Sequence, residues 1–212
     1  PSVLVESGAD LLIYGMGEGV VQQVARAMHN GYNAKLLRRI RQVAFVADDD
    51  YVARLDPATT IRLHSFEECR ADKRAFGENF TVIETQSNLM EPVATLVERT
   101  GDRWVVVTPP NAALSTEELD HSFDLPYERV PHPRYRGKGD IPAWEMIKFS
   151  LNIHRGCFGG CSFCTISAHQ GKFIHSRSER SILAEVERIV RMPDFKGYLS
   201  DIGAPSANMY RM

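Results

Sequence analysis

The sequence predicts an α/β chain. A Rossmann-like, three-layer N-terminal region is followed by the opening β/α units of a (β/α) barrel. Three observations carry this expectation. Residues 10–47 run strand, glycine turn, helix, strand. Residues 146–203 run strand, loop, helix, strand, which is one βαβ unit. Between them, residues 121–145 are dense in proline and glycine and read as a surface linker. The domain boundary therefore falls near residue 145, with 1–145 as the N-terminal region and 146–212 as the start of the barrel.

The elements follow in order. DLLIYG (10–15) is a short apolar strand ending in the turn GMGEG. The next stretch spaces Val20, Val24, Ala27 and Met28 as a helix and stops at Gly31. QVAFVA (42–47) is a second strand. In SFEECRADKRAFGE (65–78), Ser65 stands three residues before Glu68, the spacing of a capping box. Residues 80–99 are expected to continue as helix, interrupted at Pro92. WVVVTPP (104–110) is a β-branched strand closed by two prolines, and Ser115 opens a short helix. MIKFSLNI (146–153) is a strand. Ile182, Leu183, Val186, Ile189 and Val190 give 176–192 an amphipathic stripe, and GYLSDIG (197–203) is the next strand.

Composition excludes several classes. The chain has 212 residues, 43% hydrophobic and 25% charged, with a net charge of −2. That balance suits a globular protein large enough for a real core. It gives no basic excess for nucleic acid. No run approaches the length of a membrane span, and the first residues lack the basic n-region of a signal peptide, so a cytoplasmic protein is expected. The chain begins at Pro1 and stops at Met212, just past a predicted strand. It reads as an excised piece, expected to be inactive or nearly so by itself.

The chemistry concentrates in RGCFGGCSFC (155–164). Three of the four cysteines, Cys157, Cys161 and Cys164, stand in C-x3-C-x2-C spacing. Clustered thiols in such a chain favour metal ligation or redox chemistry over a disulfide framework. Gly156, Gly159 and Gly160 let the loop turn tightly and bring backbone N–H groups toward sulfur. Four cysteines would close every iron of a cubane; three leave one iron open to a ligand. The loop also follows a strand, where barrels place their functional loops.

This motif, with Phe163 just before the last cysteine, resembles the radical SAM superfamily. The longer run FSLNIHRGCFGGCSFCTISAHQGKFIHSRSERSILAEVERI resembles the YgiQ-type (UPF0313) radical SAM proteins. So do PAWEMIKFS (142–150), SDIGAPSANMYRM (200–212) and, more loosely, ADLLIYGMGE (9–18). The resemblance implies a radical SAM partial TIM barrel and an oxidoreductase. It implies a 4Fe–4S cluster on Cys157, Cys161 and Cys164, and S-adenosylmethionine as the second cofactor. Phe163 would lie near the adenine. The stretch Asp201, Gly203, Ala204 and Pro205 would hold the methionine amino group through backbone carbonyls, although DIGAP departs from the usual double glycine followed by glutamate. An electron donor such as flavodoxin or ferredoxin is the implied partner; the substrate is unknown.

Other readings compete. Zinc in a Cys₃His site, completed by His169, His154 or His175, would make the chain a binding module. GMGEG lacks the glycine a dinucleotide fingerprint requires at Val20, so a plain turn is expected there. Its layout also resembles the last turn of cobalamin-binding domains, without their histidine motif. Asp48, Asp49 and Asp50 read as a solvated charge run. Arg155, Lys172, Arg177 and Arg180 read as solvated helix-start charges or as neutralisers of the cluster. Cys69 reads as a half-buried small side chain.

Overall fold

The computed structural model describes residues 2–203 and 208–212. The chain divides into two compact units, 1–112 and 113–212. The N-terminal unit holds α1 (Val3–Ser7), β1 (Leu12–Ile13), α2 (Glu18–His29), α3 (Ala34–Leu37), β2 (Val43–Ala47), α4 (Asp49–Ala53), β3 (Thr60–Arg62), α5 (Phe66–Ala71), α6 (Lys73–Ser87), β4 (Thr95–Thr100) and β5 (Arg103–Val107).

Among the described residues, these strands form one sheet in the order β1-β2-β5-β4-β3. Alternate residues of a strand face opposite sides. Val43, Phe45, Ala47, Val97, Trp104 and Val106 therefore share one face, covered by Val20 of α2 and Val52 of α4. Ala44 and Val105 look the other way, toward Leu4 of α1. A strand buried on both faces must be apolar at nearly every position, which is why VAFVA reads as a continuous run.

The α/β class is what the chain adopts. The strand directions are mixed: β3 and β4 run parallel, while β1/β2, β2/β5 and β4/β5 are antiparallel. The difference from a fully parallel sheet has a local cause. Thr100 and Arg103 pair across the two-residue loop Gly101–Asp102, with Gly101 at φ +62°. Such a loop makes a hairpin, whereas a parallel pair needs a long crossover. The helix expected over 80–99 is corrected here. It ends at Ser87, and 95–100 forms β4, with Val97 fully buried between two neighbouring strands.

The C-terminal unit holds α7 (Thr116–Phe123), a 3₁₀ turn at Pro133–Tyr135, α8 (Pro142–Ile147), β6 (Ser150–Asn152), β7 (His154–Arg155), α9 (Ile166–Gln170), β8 (His175–Ser176), α10 (Glu179–Val190) and β9 (Asp201–Gly203). β6 and β9 pair in parallel, Ser150 with Asp201 through Asn152 with Gly203. With α10 between them they make the expected βαβ unit. Phe149 and Leu151 pack on Ile189, with Ile182 and Val186 beside them. Leu183 and Val190, counted in the stripe, are instead exposed.

Two further differences concern the linker. Met146 and Ile147 end α8 rather than begin a strand, because Pro142 at the first turn starts a helix. The compact division also falls earlier than residue 145. Asp120 of α7 accepts the Ser178 N–H at 2.9 Å, and Arg129 pairs with Glu185. These bonds tie the region 113–145 to α10.

Candidate functional site

The cysteine loop emerges where β6 ends. Ile153 continues the strand: its N–H donates to Gly203 O at 3.0 Å, and its carbonyl accepts the Arg177 N–H at 3.0 Å. β7 and β8 then close a short antiparallel pair, His154 with Ser176 and Arg155 with His175. Everything from 156 to 174 hangs from this hairpin. Its neck admits only glycine at 156. A Cβ there would stand 2.0 Å from Phe173 O, and the residue sits at φ +89°. The Gly156 N–H donates to Gln170 Oε1 at 3.2 Å, and the Cys157 N–H to Gly171 O at 3.0 Å. Within the loop, the Cys164 N–H donates to Cys161 O at 3.1 Å.

All three thiols are free. Cys157 and Cys164 are half-buried, and Cys161 is exposed. Gly159 sits between two of them. A Cβ at Gly159 would meet Cys157 Sγ at 3.3 Å and Cys161 Sγ at 3.8 Å. The missing side chain thus leaves a cradle faced by two sulfurs. The Gly159 N–H donates to Cys157 Sγ at 3.4 Å. Among the described residues, no three His, Cys, Asp or Glu side chains converge as they would around one metal ion. Phe163 lies at the loop tip, 89% exposed.

Behind the loop stands His154, which is fully buried. Its Nε2 accepts the Met209 N–H at 3.2 Å, so the proton of the neutral ring sits on Nδ1. Burial holds its pKa below the ordinary histidine range. That hydrogen bond takes up one of the two ring nitrogens able to bind zinc. His175 is half-buried on β8, its pKa also lowered by burial, and His169 is exposed at the end of α9.

One basic residue at the loop departs from the solvated reading, while Arg180 keeps it, its side chain 76% exposed at the start of α10. Arg177 is not solvated. It is buried, with its guanidinium paired to Glu185, donating to Ser181 Oγ at 2.7 Å and Asn152 O at 2.7 Å, and lying 4.3 Å from the Phe123 ring centroid. Arg129 holds the other oxygen of Glu185. Arg180 reaches toward Asp120 and Asp124, both at 3.8 Å. Arg155 lies over Phe123 at 5.2 Å. Arg177, Arg129, Glu185 and the Phe123 ring pack together as a largely buried cluster. The sequence offered one signal for Glu185: an acid on the apolar side of a helix, between Ile182 and Ile189.

The remaining candidates fall as follows. Asp201 and Gly203 lie on β9; the Gly203 carbonyl already accepts the Ile153 N–H, and Asp201 is exposed. Ala204 and Pro205 lie outside the described residues. Val20 is fully buried where the nucleotide fingerprint would need glycine. The acidic run is exposed, as a solvated run should be; within it Asp48 caps α4, and Asp49 accepts the Trp104 Nε1–H at 2.8 Å. Cys69 accepts from Asn79 Nδ2 at 3.0 Å, and burial pushes its thiol pKa up.

The chain is thus an α/β protein with a thiol-bearing loop at the carboxyl end of a βαβ strand. The comparisons then supply the family. The profile of the Radical SAM N-terminal family matches residues 1–150, and the chain belongs to that family. It is 54% identical to a UPF0313 protein of Porphyromonas gingivalis over its whole length, covering 33% of that protein. It is 52% identical to one of Bacteroides thetaiotaomicron, covering 35% of it. A UPF0313 protein of Geobacter sulfurreducens is 44% identical over 99% of the chain. The chain thus spans about a third of the length of the curated relatives it matches. No solved structure matches it significantly. No helix among the described residues is long and apolar enough to cross a membrane.

Proposed function

We propose that Cys157, Cys161 and Cys164 ligate a 4Fe–4S cluster, and that the full-length protein uses it to begin radical chemistry from S-adenosylmethionine. The observation that carries this reading is the cradle at Gly159, faced by the Cys157 and Cys161 sulfurs on a loop that also bears Cys164. When bound, such a cluster would supply the one-electron reductive cleavage of S-adenosylmethionine that starts radical chemistry, its electron coming from a donor such as flavodoxin or ferredoxin.

The chain's own residues do the holding. Thiols must lose their protons to ligate iron. The Gly159 N–H donates to Cys157 Sγ, and the glycine keeps a side chain from crowding the Cys157 and Cys161 sulfurs. Three ligands leave one iron for the cofactor's amine and carboxylate. Phe163, exposed at the loop tip, would stack on the adenine. The carbonyls of 201–205 would receive the methionine amino group. Substrate and reaction belong to the full-length protein.

The test is anaerobic reconstitution of full-length protein with iron and sulfide. Iron and sulfide uptake with visible absorbance that shifts on adding S-adenosylmethionine supports the reading. Serine at Cys157, Cys161 or Cys164 should abolish it, whereas Cys69→Ser should leave it intact. One tightly held zinc with no iron uptake would overturn the reading in favour of a zinc-stabilised module.

A further inference from the structure

We infer that Met209 forms the inner wall of the cluster cradle and that His154 is the positioning residue that fixes it there. This rests on the reading of the cysteine loop just given. It adds a residue 45 positions beyond Cys164 to the site.

Met209 is buried, and its Cε lies 4.0 Å from where a Gly159 Cβ would stand, the same point that faces the Cys157 and Cys161 sulfurs. One side of the cradle is therefore closed by the methionine methyl group. Three successive residues hold that side chain in place. The Met209 N–H donates to His154 Nε2 at 3.2 Å, the Tyr210 hydroxyl to Arg177 O at 2.9 Å, and the Arg211 N–H to Ser176 Oγ at 2.8 Å. Each acceptor lies on or next to the β7/β8 hairpin from which the loop hangs. Cradle and wall thus share one support.

The choice of residue types fits this task. A backbone N–H buried beside an apolar side chain needs an acceptor. A fully buried imidazole provides it, and its neutral form is the one that burial favours. Methionine is apolar, fills irregular gaps and offers no strong donor. A wall of that kind keeps water and oxygen from one side of the sulfurs, and the apolar shell around a metal group sets both solvent access and redox potential.

The experiment uses full-length protein in two forms. In the cluster-free form, alkylation of Cys157 and Cys161 by iodoacetamide is timed and located by mass spectrometry. In the reconstituted form, bleaching of the visible absorbance in air is timed. Met209→Ala should speed both several-fold, while Met90→Ala, at an exposed methionine of the other unit, should leave both unchanged. His154→Leu should act like Met209→Ala, and His154→Gln, which keeps an acceptor, should restore much of the protection. Wild-type rates in Met209→Ala overturn the inference whether or not His154→Leu folds. If the wild-type protein takes up no iron and sulfide, the proposed function falls, and the alkylation arm still decides whether Met209 walls the thiols.

Discussion

The two units bury different chemistry. The N-terminal unit hides a sheet whose inner side chains are almost all apolar: Val43, Phe45, Val97 and Val106 are each essentially inaccessible. The C-terminal unit hides charge. Arg177, Glu185 and Asp120 are as buried as its apolar residues, and Arg177 and Ser178, which pair with Glu185 and Asp120, directly follow the β7/β8 hairpin that carries the cysteine loop. An apolar sheet is set by periodicity, and many substitutions keep it. A buried ion network is set by pairing, so it holds a loop in one geometry but tolerates the loss of no member.

The largest test of this contrast removes one residue from each core. Glu185→Ala leaves Arg177 and Arg129 without their shared carboxylate. Breaking a buried pair costs about 3–5 kcal/mol because an uncompensated charge remains. Phe45→Ala should cost a similar amount, about 3–5 kcal/mol, through lost burial and a cavity. The causes separate in double variants. Adding Arg177→Met to Glu185→Ala should cost less than the sum, since one stranded charge disappears with it. The units report separately by fluorescence: Trp104 lies in the N-terminal unit and Trp144 in the C-terminal one, so single-tryptophan denaturant curves read each. A fully additive double variant would show that Glu185 is not paired as described.

The same contrast explains what was legible in the sequence. VAFVA and WVVVTPP announced their strands because both faces of a sheet demand apolar residues. Ser65 with Glu68 announced a cap because the box is local, and both of its hydrogen bonds form. β4 was missed because Glu98 and Arg99 broke its apolar run. The turn signal Gly101–Asp102 before Arg103 was there to be used. The cysteine spacing announced the loop. What surrounds the loop was not legible, because His154 meets Met209 across 55 positions and Arg129 meets Glu185 across 56. No periodicity encodes such a pairing, and a charged residue near a helix start reads as solvated until its partners are placed.

A glycine pair sharpens the comparison at smaller scale. Gly77 lies within α6, and a Cβ there would meet nothing within 4 Å. Gly77→Ala should therefore stabilise the N-terminal unit by about 0.5–1 kcal/mol. Gly156→Ala drives a Cβ into Phe173 O at positive φ and should cost about 3 kcal/mol, the upper part of the overpacking range. It should also loosen the neck and cut iron uptake. Denaturant midpoints of the two variants should move in opposite directions. Equal shifts would mean that the hairpin neck is not closed as described.

The mildest perturbation is acid. His154 and His175, both in the C-terminal unit, have pKa values held below the ordinary range by burial. A histidine in the unfolded chain takes up its proton near pH 6.5. Below that point the unfolded state binds more protons than the folded one, so stability rises with pH and is lost as pH falls. The C-terminal unit should therefore weaken between about pH 6.5 and 5. The alkaline side does not separate the units. Burial raises the pKa of Tyr14 in the N-terminal one, and hydrogen bonds from Lys148 to Asp194 and Glu145 raise that of Lys148 in the other, so both weaken above about pH 10. In the N-terminal unit, Glu68 and Glu78 are held below the usual carboxylate range by hydrogen bonds from Ser65 and His64. Stability that depends on them fades only as pH falls below about 4.3. Midpoints read through Trp144 should thus fall first on mild acidification, ahead of those read through Trp104. His154→Gln should reduce that early fall, because it removes one of the two protons taken up on unfolding while keeping an acceptor for Met209. An equal early fall in both curves would place the acid-sensitive step elsewhere than at these buried imidazoles.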